Sequence, residues 1–299
     1  MNEQSIQPRS VLALGMFDGV HIGHQALLSA CCDLASQLNC STAAITFEAH
    51  PQSLFSAQPP ALLTTCQDRQ ALMARYGISH IHCFPISKEV MSTPWRFFLE
   101  ELMQEGAAGF VCGDDFHFGH RGEGSAEKLL AFCAEQNLPC VIVPEQTIKG
   151  KRISSTLIRS LIEAGDMETA TKFLGHPHVL TGTVRPGKQL GRTLGIPTAN
   201  LLIPAGVVTP KFGVYACRAL VDGKVYPAVA NVGVRPTVSG SGVTVEPWIL
   251  DFSGDLYGHE IQLEFFRFLR PETKFETLAA LQQQIHLDAA ETRRYFETI

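Results

Sequence analysis

The hydrophobic rhythm of the chain changes between residues 171 and 178, and this change restricts it to two unlike halves. Before that point, short apolar runs alternate with stretches of helical spacing. Strands are expected at Val11–Gly15, Ala43–Phe47, His80–Phe84, Gly109–Cys112 and Pro139–Val143. One helix is expected over Pro94–Glu105, with Thr93 as its N-cap and Pro94 at the first helical position. Another opens at Ser154 or Ser155 and stops at Gly165. A strand–helix alternation of this kind predicts a parallel sheet with helices on both faces, and ligands of such sheets bind beyond the carboxyl ends of the strands. After the change, strands follow one another directly: Leu180–Val184, Gly213–Val221, Lys224–Val232, Thr244–Phe252 and Glu260–Phe268. Asp222-Gly223 between two of them signals a tight hairpin. The second half therefore reads as a small antiparallel barrel or sandwich, closed by a helix from Phe275 to the end. The expected domains are residues 1–175 and 176–299.

Composition narrows the function classes. Twenty-four basic against 29 acidic residues leave a net charge of −5, which argues against broad nucleic-acid binding. No apolar run is long enough to span a bilayer, and MNEQSIQPRS at the start has no apolar signal core. Nine cysteines without a CxxC pair, mostly in apolar segments, read as buried thiols of a cytoplasmic protein.

The loop after the first strand carries the first chemistry. It runs Gly15-Met16-Phe17-Asp18-Gly19-Val20-His21-Ile22-Gly23-His24, and helical spacing begins at Gln25. His21 and His24 stand three apart at a helix start, beside backbone N–H groups that attract phosphate. Imidazole donors there can stabilise charge as a phosphoanhydride breaks. Gly23 allows close approach of the backbone to a ligand. The alternative is a surface or metal-binding histidine pair. Farther on come Thr46-Phe47-Glu48-Ala49-His50-Pro51, Gly113-Asp114-Asp115-Phe116-His117-Phe118-Gly119 and Arg152-Ile153-Ser154-Ser155-Thr156-Leu157-Ile158-Arg159. The last of these opens a helix with hydroxyls and two arginines, a second phosphate cradle.

These four segments, in this order, resemble the nucleotidyltransferase superfamily with its HxGH signature, and GMFDGVHIGH resembles the version found in FAD synthetases. The sequence departs from that pattern at Ala49, where proline is usual, and at His117, where arginine is common. The resemblance implies adenylyl transfer from ATP to FMN, with pyrophosphate released and Mg²⁺ bridging phosphate oxygens. His21 and His24 would be catalytic. Gly15, Phe17, Asp18, Gly23, Arg152, Ser154, Ser155, Thr156 and Arg159 would bind ATP, and Phe47, His50 and Asp115 would lie near the flavin.

In the second half, residues 187–200 read GKQLGRTLGIPTAN, without a Walker loop. Glycines spaced four apart suit backbone approach to phosphate, and Thr198 and Asn200 offer oxygen ligands of the kind Mg²⁺ accepts. From spacing alone a glycine-rich hairpin loop is the favoured reading. Together with Ala230-Asn231-Val232-Gly233-Val234-Arg235-Pro236-Thr237, the segment resembles riboflavin kinase, a small antiparallel barrel. The resemblance implies ATP contacts at Gly187, Lys188, Gly191 and Arg192, Mg²⁺ ligands at Thr198 and Asn200, and flavin contact at Arg235. It also implies a catalytic base at Glu246, in the strand before Asp255-Leu256-Tyr257-Gly258, with Asp251 the next carboxylate along. Pro247 is unusual in that strand and puts its pairing in question.

Taken whole, the chain resembles the bifunctional riboflavin kinase/FMN adenylyltransferase family. The expected fold is a Rossmann-like α/β nucleotidyltransferase domain followed by a β-barrel kinase domain with a C-terminal helix. The expected partners are riboflavin, FMN, FAD, ATP, ADP and pyrophosphate, without nucleic acid or membrane. Three other readings compete, the narrowest being an enzyme active in only one half, against which both motif sets are present. His21-Ile22-Gly23-His24 also matches class I aminoacyl-tRNA synthetases, but no KMSKS-type loop or basic surface accompanies it. A catalytically silent flavin-binding regulator would be expected to lack His21, His24, Thr198, Asn200 or Glu246, and all are present.

Overall fold

A computed structural model describes residues 9–186, 195–237 and 240–299, without the side chains of residues 235–241. The chain divides into two compact units, Met1–Ser155 and Thr156–Ile299.

The first unit holds a parallel five-stranded sheet in the order β3-β2-β1-β4-β7. Its strands are β1 (Ser10–Leu14), β2 (Ser41–Phe47), β3 (His80–Phe84), β4 (Ala107–Gly113) and β7 (Cys140–Val143). Two short hairpins join it: β5 (His117–Phe118) with β6 (Gly124–Ser125), and β8 (Thr147–Ile148) with β9 (Lys151–Arg152). The helices are α1 (Ile22–Leu38), α2 (Cys66–Arg75), α3 (Lys88–Ser92), α4 (Trp95–Gln104) and α5 (Ala126–Glu135). Alternation along β1 explains the layering. Leu12 and Leu14 join Ile45, Phe110 and Cys112 in a core with Leu99 and Leu102 of α4 and Leu129 and Phe132 of α5. The other face meets α1, where Cys31 Sγ reaches the Val11 carbonyl at 3.4 Å. Complete burial of a ring such as Phe110 stabilises by about 2–3 kcal/mol.

Thr93 does not cap α4. Its hydroxyl donates to the Glu89 carbonyl (3.2 Å) and its carbonyl accepts His120 N–H (2.8 Å), so it ends α3 instead. Pro94 then occupies the N-cap with extended ψ of 138°. The cysteines also depart from the expectation of nine thiols: Cys66 and Cys83, with Cα atoms 7.0 Å apart, are bonded to each other. The other seven are free.

The second unit opens with α6 (Ser155–Ala164), whose first residue closes the first unit, and α7 (Met167–Leu174), which ends at Gly175 with φ 77°. A six-stranded antiparallel sheet follows in the order β10-β15-β12-β13-β14-β11. Its strands are β10 (His178–Thr183), β11 (Leu201–Leu202), β12 (Gly213–Val221), β13 (Lys224–Thr237), β14 (Gly240–Ile249) and β15 (Glu260–Arg270). The hairpin at Asp222-Gly223 is present, with φ of 46° and 77° and Val221 paired with Lys224. Such left-handed pairs match the twist of the flanking strands. Pro247 does not interrupt β14. Ala230 pairs with it, and its carbonyl accepts Ala199 N–H at 2.9 Å. The closing helix, α8 (Leu278–Glu297), is pinned to the sheet by buried Asp288, which accepts from Arg270 Nε (3.0 Å) and Nη2 (2.8 Å). Among the described residues, no helix is long and apolar enough to cross a membrane.

Buried His178 makes this unit acid-sensitive. Burial, and secondly the charge of His176, pushes its pKa down to about 3. The unfolded chain takes up this proton near pH 6.5 and the folded chain only near 3, so stability falls as pH falls through that interval. The slope approaches about 1.4 kcal/mol per pH unit. In a Trp95→Phe background, urea unfolding followed by Trp248 fluorescence is expected to shift to lower urea between pH 6.5 and 4.5. His178→Gln is expected to flatten that dependence.

Candidate functional site

The carboxyl end of the parallel sheet carries a cavity of about 340 Å³. The loop from Gly15 reaches it through left-handed residues at Phe17 (φ 50°), Gly19 (78°) and Val20 (42°). His21 then caps α1: its Nδ1 accepts His24 N–H at 3.3 Å, which leaves the proton on Nε2. The two imidazoles stack with centroids 3.6 Å apart. Gly23 is needed for this, because a Cβ there would lie 3.2 Å from the His21 ring. His24 is held well below the ordinary histidine range, first by burial, then by His21 and by Arg69. Its Nδ1 is buried without a hydrogen-bond partner.

The same cavity is lined by Gly15, Phe47, Asp115, Arg152, Ser154 and Ser155. Arg152, on β9, pairs with Asp115 and with Glu145, the latter at 3.0 Å. Ser155 Oγ donates to the Asp18 carbonyl at 3.0 Å. Thr156 and Arg159 follow on α6, in the second unit. Within the first unit, three expected residues do not reach the cavity wall. Phe17 is buried edge-on against His24. Asp18 is buried and its Oδ1 accepts Leu63 N–H (2.7 Å) and Thr64 N–H (3.3 Å). His50 caps the short turn Pro51–Leu54 by accepting Gln52 N–H.

A second cavity, about 160 Å³, shares Gly15, Phe47, Phe116 and His117 with the first. Val90, Met91, Phe98 and Phe118 make it strongly apolar. Sequence reasoning missed this wall, because α3 is a single short turn without a readable period. The aromatic Phe116-His117-Phe118 run was its one visible signal.

In the barrel unit a cavity of about 230 Å³ is lined by Thr198 and Asn200 together with Phe252, Asp255 and Tyr257. Ala199 bonds to Pro247 and Leu201 pairs with Val245, so Asn200 stands opposite Glu246. On its other side Glu246 pairs with Asn231. Residues opposite one another in a ladder share a face, so Asn200, Glu246 and Asn231 form one row across three strands. Asn231 Nδ2 donates to Glu272 at 3.0 Å. Asp251 is tied to Arg293, at 3.0 Å for one of two bonds. Gly187, Lys188, Gly191 and Arg192 lie outside the described residues, as does the side chain of Arg235.

The chain matches the FAD synthetase family model over residues 3–157 and the riboflavin kinase family model over residues 174–296. The bifunctional riboflavin kinase/FMN adenylyltransferase of Escherichia coli K12 is 36% identical, over 98% of this chain and 95% of that one. The protein of the same description from Listeria monocytogenes is 34% identical, over 96% and 92%. A crystal structure from Streptococcus pneumoniae, described as a macrolide-efflux protein, superposes with a TM-score of 0.85 at 30% identity, covering 96% of this chain and 95% of the other. With both family models matched in order and relatives of this description aligned over nearly its whole length, the chain belongs to the bifunctional riboflavin kinase/FMN adenylyltransferase family.

Proposed function

We propose that the two reactions, riboflavin to FMN and FMN to FAD, each with ATP, are carried by the two sites just described. Residues 1–175 would form the adenylyltransferase and residues 176–299 the kinase. The family matches, one stopping at 157 and the other starting at 174, bracket this split, while the compact units divide earlier, after Ser155. A cytoplasmic setting accords with seven free thiols.

For adenylyl transfer, the carrying observation is that His21, Gly23, His24, Arg152, Ser154 and Ser155 line one cavity. The triphosphate of ATP fits there, at the α1 N-terminus, with the apolar cavity beside it for the flavin ring. The FMN phosphate attacks the α-phosphorus in line, and pyrophosphate leaves. No side-chain nucleophile is needed. His21 Nε2–H and the α1 N–H groups hold the charge that develops, and Arg152 would exchange its carboxylate partners for phosphate.

For phosphorylation, the carrying observation is the row Asn200–Glu246–Asn231. Glu246 accepts the proton of the riboflavin 5′-hydroxyl as that oxygen attacks the γ-phosphate. The Thr198 hydroxyl and the Asn200 carbonyl are hard oxygen donors on the cavity wall, a donor set that fits Mg²⁺ completed by phosphate oxygens and water. When bound, the ion neutralises phosphate charge.

Two substitutions test the assignment, with riboflavin, FMN and FAD separated by chromatography after each half-reaction. Glu246→Gln is expected to slow riboflavin phosphorylation about 100- to 10,000-fold. Adenylylation of supplied FMN should not change. Normal phosphorylation by this variant would remove Glu246 as the base and leave Asp251, which is tied to Arg293, and Glu272, which accepts from Asn231, as the next carboxylates to test. His21→Ala combined with His24→Ala is expected to slow FAD formation roughly 100-fold or more, with FMN formation intact. Normal FAD synthesis by this double variant would place the site elsewhere.

A further inference from the structure

We infer that Arg69 is a positioning residue for adenylyl transfer, gripping from beneath the loop that presents His21 and His24 to the cavity. This rests on the reading of that histidine pair as the adenylyl-transfer site.

Arg69 lies on α2 among core residues: its neighbours Leu72 and Met73 are buried, and Arg69 itself is 0% exposed. Removing a guanidinium from water is costly unless its donors are matched. Here Nη1 donates to the Met16 carbonyl at 2.8 Å and to Thr46 Oγ1 at 3.2 Å. Thr46 donates in turn to the same Met16 carbonyl at 2.7 Å. Nε and Nη2 are buried without a hydrogen-bond partner. Packing alone does not account for such a residue, since leucine or methionine would fill the space without this penalty.

The three atoms tie α2, the end of β2 and the loop after β1 into one triangle. Met16 itself lines the cavity and sits five residues before His21. The loop between them has little regular pairing and three left-handed residues, so its position depends on such anchors. The buried charge also acts on the site. It helps to keep His24 neutral, and Asp18 in the same loop opposes the desolvation of Arg69.

A merely structural arginine and a positioning one differ in what their loss does to turnover. A displacement of the histidines by about 1 Å can cost on the order of 100-fold in rate while substrates still bind. Arg69→Met is therefore expected to lower kcat for FMN adenylylation roughly 30- to 100-fold, with KM for ATP and FMN changed by no more than about threefold. Arg69→Lys, which keeps the charge and one donor for Met16, is expected to recover about tenfold of that loss. Thr46→Val is expected to cost less than Arg69→Met, and the double variant less than the product of the two, since both act on one carbonyl. Riboflavin phosphorylation by the full-length protein is measured in each case and should be unchanged. If Arg69→Met does not fold, Arg69→Lys and Thr46→Val carry the test, both with lowered kcat and unaltered KM.

The inference is overturned by a folded Arg69→Met variant with kcat within about twofold of the parent, by a loss confined to KM, or by a lysine variant no better than methionine. The His21→Ala, His24→Ala double variant is run alongside. If it makes no FAD while Arg69→Met is normal, only the role of Arg69 falls. If it too makes FAD normally, the reading of the histidine site falls first.

Discussion

The carboxylate of Asp18 is the interaction on which the first unit's site depends. The loop between β1 and α1 leaves the sheet, turns through three positive-φ residues and enters a helix, all in buried surroundings. Phe17 and Val20 pay about 1–3 kcal/mol each for left-handed backbone. Buried peptide groups in such a loop need partners. Asp18 takes the Leu63 and Thr64 N–H groups, Thr64 Oγ1 takes Gly19 N–H at 3.2 Å, and the Asp18 carbonyl takes the Ser155 hydroxyl. Hydrogen bonds to a charged acceptor are worth about 1.5–3 kcal/mol each, enough to offset the strain. The cavity wall is thereby joined at one residue: the α1 N-terminus on one side, Ser155 on the other.

This explains why Asp18, expected to bind ATP, turns inward. In this structure its carboxylate serves the backbone N–H groups of Leu63 and Thr64. Phe17 is similar: it walls His24 at 5.4 Å and takes no place on the cavity surface. Motif membership and ligand contact are different properties, and spacing alone does not separate them.

Much of the fold was legible because both halves follow simple periods. Gly213–Val221 and His80–Phe84 are strands over the residues expected, and the Asp222-Gly223 turn lies where its chemistry requires. The misreading at Thr93-Pro94 came from a competing partner far along the chain: His120 claims the Thr93 carbonyl, which no local rule anticipates. The Cys66–Cys83 pair was illegible for the same reason, since it joins the start of α2 to β3. Site residues fared according to how local their geometry is. His21, Gly23 and His24 are fixed by one helix start and could be read directly. Arg69 is 45 residues beyond His24 in the chain, on an ordinary-looking helix, and its burial is a tertiary fact.

On the proposed assignment, the two sites would meet one physical problem, holding phosphate charge in a fixed line of attack, by different means. In the first unit the charge faces a helix terminus backed by stacked rings. The two rings stack 3.6 Å apart, and burial first, then His21 and Arg69, keep the pKa of His24 low. His24 is therefore held neutral, and a polyanion entering the cavity would act against the two charge effects, those of His21 and Arg69, while leaving the effect of burial in place. Among the described residues of the barrel unit, no helix N-terminus lines the cavity. A strand ladder instead sets Asn200, Glu246 and Asn231 in one row, where register decides which groups share a face. A one-residue slip would turn Glu246 to the opposite face. The bond from Ala199 to Pro247 pins that register, and proline, with no N–H of its own to offer, contributes the carbonyl that does so.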